Sequence, residues 1–357
     1  MRVVTNQLQE GCILLEDVYS LTNKPIISKK TVLTAAHIEV LRLFLVNDVQ
    51  VESFLISGEA FRPLETVDAD EIPTVKEKSI VEQYLGAVKE YKQLFQNWQA
   101  GAPVDISKVR LIVIPLLESL LEQPSELFNF YRYSTREDYI YHHSVVVGLL
   151  SGYLGKKLDY TQADCNHLAV AGLLSDCGMS KIDPKILSKS SSLTLGEYTE
   201  VKKHSLYSYR MIEKITLIKD SVKLAVLQHH ERIDGTGYML GVSGDKIHPF
   251  AKIISVADVY SAMTSERPYN SRQAPFKVLE QIRQEFFGKF DVKVLEALTS
   301  IIGYLSIGTK VKLSNGQLGE VIYIDSNNPT RPMIKCSEVE FIELIKQREI
   351  YIEEIIK

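Results

Sequence analysis

The sequence predicts a mainly α-helical protein, with a central helical bundle flanked by a small α+β unit at the amino end and a small β-rich unit at the carboxyl end. Three observations carry this reading. Residues 134–303 are almost continuously helical in their apolar period, the period shortens toward two after Gly303, and residues 1–58 mix short apolar runs with turn signals. At 357 residues the chain also exceeds what one core usually holds, so two or three packed units are expected.

Composition narrows the class further. Hydrophobic residues make up 45% and charged residues 24%, and the 31 Gly and Pro residues are few, which excludes disorder and collagen-like structure. With 41 basic against 45 acidic residues the net charge is −4, so there is no general attraction to DNA or to an anionic membrane, and neither is expected as a partner. The first residues lack the order of a signal peptide and no apolar run is long enough to span a bilayer, so a cytoplasmic protein is expected. Cys12, Cys165, Cys177 and Cys336 form no CxxC pair and read as small buried hydrophobes.

In order along the chain, Cys12–Leu15 and Val32–Leu33 are short apolar runs, Asn23-Lys24-Pro25 is a turn, and Ala35–Phe44 is helical, making residues 1–58 an accessory α+β domain. Glu59–Thr74, with Pro63, Pro73 and the run Asp68-Ala69-Asp70-Glu71, has linker composition. Helices follow over Val75–Trp98 and Ile106–Leu121, broken at Gly101-Ala102-Pro103, and residues 59–133 serve as linker and connecting helices. Their apolar stripes suit a homodimer contact or packing on the main domain equally. Within 134–303, Ser134 with Glu137 and Thr194 with Glu197 read as capping boxes, with Thr161 and Asp164 a weaker one. Val145–Leu150 is apolar on most sides and belongs at the centre of the bundle. From 304 to 357, Asn315-Gly316 between Val311–Leu313 and Gly319–Ile324 signals a hairpin, and Pro329 and Pro332 mark a loop.

Six of the eight histidines fall between His142 and His230, about a quarter of the chain. One histidine at a helix end is ordinarily a satisfied surface group. Here, however, His143, Asp176, His204, the pair His229-His230 and Asp258 recur at intervals of 33, 28, 25 and 29 residues, each on a separate predicted helix or its end. Imidazole and carboxylate are the usual donors for divalent transition metals, and a bundle can aim several inward.

The stretches DYIYHHSVVVGLL (138–150), AGLLSDCGMSKIDPKIL (171–187), KKHSLYSYRMI (202–212), LQHHERIDGTGYMLG (227–241) and AKIISVADVYSAMTSERPYN (251–270) resemble the HD-GYP branch of the HD-domain metal-dependent phosphohydrolases. The resemblance covers about 134–303 and implies an HD-type helical bundle in a bacterial signalling protein whose relatives hydrolyse cyclic di-GMP with two or three Fe- or Mn-class metals. It implies that His143, Asp176 and Asp258 hold a first metal, that Asp176 bridges, that His204, His229 and His230 hold a second, and that Arg267 contacts substrate phosphate. Asp234, Gly235, Gly237 and Tyr238, the loop of the GYP signature, and Asn270 fall on the substrate side.

Five positions depart from the family pattern: Ser175 stands for the histidine of the HD pair, Met179 for the catalytic lysine, Met239 for the proline of GYP, Asn270 for a basic residue, and Tyr139 for the glutamate of trinuclear relatives. Ser175, Asp176 and Met179 are therefore the catalytic positions, two of them degenerate. A hydroxyl is a weak ligand, and thioether cannot donate to phosphate. Losing one preorganised donor commonly costs about 10²–10³ in rate. Two readings follow: a degenerate protein that binds a cyclic dinucleotide or a signalling partner with little hydrolysis, which the departures favour, or an active phosphodiesterase with a reduced metal site holding one or two ions. The first reading also admits a site with no metal.

Overall fold

The structure, a computed structural model, describes residues 1–19, 25–44, 46–63, 79–189, 191–266, 272–285, 288–302, 305–325 and 328–356. It divides into two compact units, residues 1–89 and 90–357. The first contains strands β1 (Arg2–Val4), β2 (Val18–Tyr19) and β3 (Pro25–Ile27), helix α1 (Ala35–Leu43) and strand β4 (Asp48–Gln50). β1 pairs antiparallel with β4, placing Val3 opposite Val49. α1 begins where predicted because the Thr34 side chain caps the His37 amide. Val3, Leu14, Leu33, Leu41, Val51 and Phe61 form its core.

Helix α2 (Ile80–Gln99) runs from the first unit into the second, and the first residues of the predicted 75–98 helix lie outside the described residues. The chain breaks as expected after Gln99, and Asp105 starts α3 (Ile106–Glu122) by accepting from the Ser107 and Lys108 amides. A 3-10 segment, Pro124–Tyr133, leads to α4 (Tyr139–Lys157) and α5 (Gln162–Leu174). The Ser134–Glu137 capping box is corrected here. α4 starts only at Tyr139, its N-cap Asp138 makes no side-chain cap bond, and Ser134 instead closes the preceding 3-10 segment. Asp138, at φ −106° and ψ 9°, is not in the extended conformation that N-caps use, and its carboxylate pairs with Lys92 at 2.7 Å.

α4 is buried from His142 through Gly155, as its unbroken apolar run requires. It packs directly on α5 because glycine faces glycine: a Cβ at Gly172 would stand 2.7 Å from the Val147 carbonyl oxygen and 2.9 Å from the Cα of Gly148. Backbone meets backbone there, and the end of α5 is thereby brought level with the start of α4.

A 3-10 turn (Cys177–Lys181) follows, then α6 (Pro184–Leu187), α7 (Leu195–Lys202), α8 (His204–Ile212), α9 (Asp220–Gln228), α10 (Pro249–Thr264), α11 (Pro275–Glu285) and α12 (Val292–Ile302). The Thr194–Glu197 capping box forms as predicted, and Thr161 caps the Asp164 amide. The chain ends in an antiparallel sheet of order β8-β7-β6-β5-β9, with β5 (Lys310–Leu313), β6 (Leu318–Tyr323), β7 (Met333–Lys335), β8 (Phe341–Glu343) and β9 (Ile352–Ile356). Its hairpin turns at Asn315-Gly316, where Gly316 takes φ +85°. Alternate residues Val311, Val321, Ile334 and Ile342 point inward against Phe276 of α11. The architecture is the mainly α, HD-type bundle with a β-rich carboxyl unit that the sequence predicts. Among the described residues no helix is long and apolar enough to cross a membrane.

Replacing Gly172 by Ala forces a methyl group into the α4–α5 contact, where neither backbone can yield without moving the other. Gly172→Ala should therefore cost about 1–3 kcal/mol of stability, read as a lower urea midpoint at unchanged m-value. An unaltered midpoint would show that the close approach does not govern this packing.

A candidate metal centre

Six side chains from five helices or their ends converge in the bundle. His143 lies in the first turns of α4, Asp176 just past α5, His204 at the start of α8, His229 and His230 just past α9, and Asp258 in α10. Asp176, His204, His229 and His230 form one group of donors, and His143, Asp176 and Asp258 a second, with the donor atoms of each within 4.8 Å of one another. Asp176 belongs to both. Its Oδ1 lies 3.1 Å from His204 Nε2 and 3.7 Å from His229 Nε2, while its Oδ2 lies 3.2 Å from His143 Nε2. Asp258 reaches His143 Nε2 at 3.1 Å with Oδ1 and His230 Nδ1 at 3.7 Å with Oδ2.

The backbone decides which nitrogens face inward. His204 Nδ1 sits 2.7 Å from the Val201 carbonyl and His229 Nδ1 2.7 Å from the Val226 carbonyl. A carbonyl oxygen only accepts, so both Nδ1 atoms carry hydrogen and both Nε2 atoms present their other valence to the cluster. Those Nε2 atoms are 3.2 Å apart, and His230 Nε2 is 3.0 Å from that of His204. Three imidazole nitrogens and a carboxylate packed this closely, with the surroundings almost sealed from water, repel one another unless a cation lies among them. The donor set therefore fits a divalent metal of the N/O-preferring class.

Without such a cation, protons take its place. Burial works against a charge on His143, yet Tyr139 and the bonds to Asp176 and Asp258 outweigh it and hold the imidazole well above its ordinary pKa. His204 is raised in the same way, burial being overcome by the bond to Asp176. Burial and then the neighbouring His229 drive His230 well below the ordinary value. Burial opposes ionisation of Asp176, but the bonds from His143, His204 and His229 carry it well below the carboxylate range.

Several residues hold this geometry that the sequence reading did not single out. Ser261, one turn after Asp258, meets His143 Nδ1 at 3.0 Å and fixes the ring. Ser208 donates to the Ser175 carbonyl at 2.7 Å and accepts from the Gly178 amide at 2.7 Å, tying the Asp176 turn to α8. Gly178 has no room for a side chain, since a Cβ there would lie 2.2 Å from the His204 carbonyl. Glu231 accepts from the Leu240 and Gly241 amides at 2.7 and 3.2 Å and anchors the loop after His230. The i, i+3 spacing of Asp258 and Ser261 is a readable signal; the others leave none in one sequence.

The degenerate positions can now be placed. The Ser175 hydroxyl, at the degenerate position of the HD pair, donates to the Gly172 carbonyl at 2.8 Å along its own helix. Met179 is half-buried in the following 3-10 turn. Cys177 is buried, with burial pushing its thiol up to about 12, and packs rather than ligates. Of the substrate-side loop, the Tyr238 ring stacks on His230 with centroids 4.6 Å apart. Asp234 is exposed and spent on Thr236, accepting from its amide at 2.9 Å and its hydroxyl at 2.7 Å, while Gly235 at φ +80° turns that loop and Gly237 lies against the backbone of Glu231. Arg267 and Asn270 lie outside the described residues. A separate cavity of about 610 Å³, with Tyr153, Lys157, Phe276 and Ile301 in its wall, contains none of these residues.

The HD domain family model matches residues 115–294, half of the chain. The chain is 32% identical to the cyclic di-GMP phosphodiesterase PA4108 of Pseudomonas aeruginosa over 68% of its own length and 58% of the relative's. It is 31% identical to the 3'3'-cGAMP-specific phosphodiesterase 3 of Vibrio cholerae over 46% of its length and 35% of the relative's. The chain thus spans between about a third and three fifths of the length of these relatives. Among solved structures, the HDG"Y"P protein Bd1817 of Bdellovibrio bacteriovorus superposes with a TM-score of 0.53, covering 85% of this chain and 99% of that one, at 14% identity, which shows a shared fold.

Two outcomes follow from the geometry. Protein purified without chelator should contain a divalent transition metal by elemental analysis, Asp176→Asn should lose most of it, and Ser175→Ala should leave it unchanged because that hydroxyl faces the helix. The pH dependence has a definite sign: His143 and His204 hold protons that a metal must displace, so manganese affinity should rise with pH from about 6 to 8 with net proton release in calorimetry. Uptake that is independent of pH would contradict the proton-filled cluster.

Proposed function

We propose, from the premise that this chain belongs to the HD-domain family and to its HD-GYP branch, that it is a slow metal-dependent phosphodiesterase of cyclic dinucleotides, cyclic di-GMP or 3'3'-cGAMP. The observation that carries this reading is the bridging placement of Asp176, with one carboxylate oxygen turned to the His204 side and the other to His143. Both donor groups are in place despite the loss of the HD histidine. A divalent cation bound there would supply charge neutralisation of the phosphodiester and acidify water at the site.

The chain's own residues do the rest. Asp176, His204, His229 and His230 would hold the second ion, and His143, Asp176 and Asp258 the first, with one protein ligand fewer because Ser175 bonds Gly172. Val201 and Val226, through their carbonyls, keep His204 and His229 in the tautomer that leaves Nε2 free to ligate. Ser261, at 3.0 Å from His143 Nδ1, keeps that ring turned with Nε2 toward the two carboxylates. Burial of these groups limits water to what the reaction consumes and strengthens every charge interaction inside. The thioether of Met179 neither donates to the phosphate nor protonates the departing oxygen, which is the reason the turnover is slow. Arg267, in the SERPY stretch, would steer phosphate.

The second reading, ligand binding with no hydrolysis, is favoured by the departures at Ser175, Met179, Met239 and Asn270. Incubation of manganese- or iron(II)-loaded protein with cyclic di-GMP and with 3'3'-cGAMP separates the two by chromatography of the products. Linear dinucleotide should accumulate, Asp176→Asn should abolish it, and Ser175→His combined with Met179→Lys should accelerate it by about tenfold or more. Intact dinucleotide after long incubation with excess metal-loaded protein would leave the binding-only reading standing instead.

A further inference from the structure

α7 has no buried residue, yet it lies beside the cluster. Its last residue, Lys202, places its ammonium 4.6 Å from the ring centroid of Tyr198 and 5.1 Å from that of Tyr238, the same ring that stacks on His230. A positive charge is therefore held at the edge of the donor cluster. The acidic residues of α7 do not neutralise it: Glu197 is taken by Lys189 at 2.6 Å, and Glu200 by Lys203 at 2.7 Å and by the Tyr207 hydroxyl at 2.8 Å. Among the described residues Lys202 has no carboxylate partner. Among the described residues, Arg232, another cation on this side, bonds the carbonyls of His229 and Glu231 and lies over the Phe290 ring.

An ammonium resting on ring faces keeps its N–H donors unspent, because a π-face attracts the charge without saturating hydrogen bonds. Two rings also restrict its rotamers, so less freedom is lost when an anion arrives. The only strong acceptor such a group lacks is an anionic oxygen, and a phosphodiester supplies one.

We propose that Lys202 is a substrate-binding residue that takes a phosphate oxygen of the cyclic dinucleotide at the mouth of the cluster, positioned by Tyr198 and Tyr238. It supplies from α7 a cation that the Asp176 turn, with Met179, does not. Tyr238 then acts as a post that positions the lysine rather than as a stacking platform for a base. This inference rests on the cyclic-dinucleotide reading above.

The test is the anisotropy of fluorescein-labelled cyclic di-GMP on manganese-loaded protein, read before turnover at low and high salt, with metal content measured on the same samples. Lys202→Met should weaken binding by about tenfold or more and flatten its salt dependence while metal content stays at the wild-type value. Lys202→Arg should keep most of the affinity, and Tyr198→Leu should fall between. Wild-type affinity in Lys202→Met overturns the assignment while leaving the proposed function intact, and so does loss of metal together with ligand, which would mark a structural role. Failure of the wild-type protein to bind the probe overturns the cyclic-dinucleotide reading and this inference with it.

Discussion

One buried carboxylate organises the molecule. Asp176 stands between His204 and His229 on one oxygen's side and His143 on the other's, and it can do so only if the end of α5, the start of α4 and the start of α8 meet within hydrogen-bonding distance. The packing supplies that meeting. Gly172 against Gly148 lets two helix backbones touch, Gly178 lets the turn after Asp176 lie on the backbone of α8, and Ser208 ties that turn down from both directions. Apolar burial stabilises the bundle, but the location of its polar heart is set by where side chains are absent.

That heart is unfavourable on its own. Burying two carboxylates and four imidazoles in one cluster costs desolvation free energy that their mutual bonds must offset. Protons on His143 and His204 offset part of this cost, and a divalent cation would offset more. Function and stability are thus linked through the same atoms: what binds at Asp176 also relieves the repulsion that the fold creates there.

The departures from the family pattern look different in three dimensions than along the chain. Read as letters, Ser175 and Met179 remove a ligand and a lysine from adjacent positions. In the structure Ser175 is absorbed into the backbone bonding of α5 and leaves the remaining donors undisturbed, so the loss is confined to one coordination position. Charge lost on the Asp176 turn is met by an ammonium on α7 that has no carboxylate partner among the described residues, on a helix held by its capping box and by the Lys189–Glu197 pair rather than by a buried face. Local substitution and distant supply are separate events in sequence and neighbours in space.

The ordered series His143, Asp176, His204, His229-His230 and Asp258 was legible because ligand types recurring once per helix are a pattern that composition does not produce, and the helix starts at Thr161 and Thr194 were legible because capping is a local bond. The Ser134 cap failed because the 3-10 segment Pro124–Tyr133 runs up to Ser134 and α4 begins only at Tyr139. Ser208, Glu231 and Lys202 act through partners 33, nine and 36 residues away in the chain, and no local rule selects them. Residue types, helical periods and the family were therefore determined by the sequence alone, since each is a property of short segments. Which nitrogen of each imidazole faces inward, which way the Ser175 hydroxyl turns and which cation borders the cluster were decided only by tertiary structure, because hydrogen-bond direction depends on the backbone that another helix brings alongside.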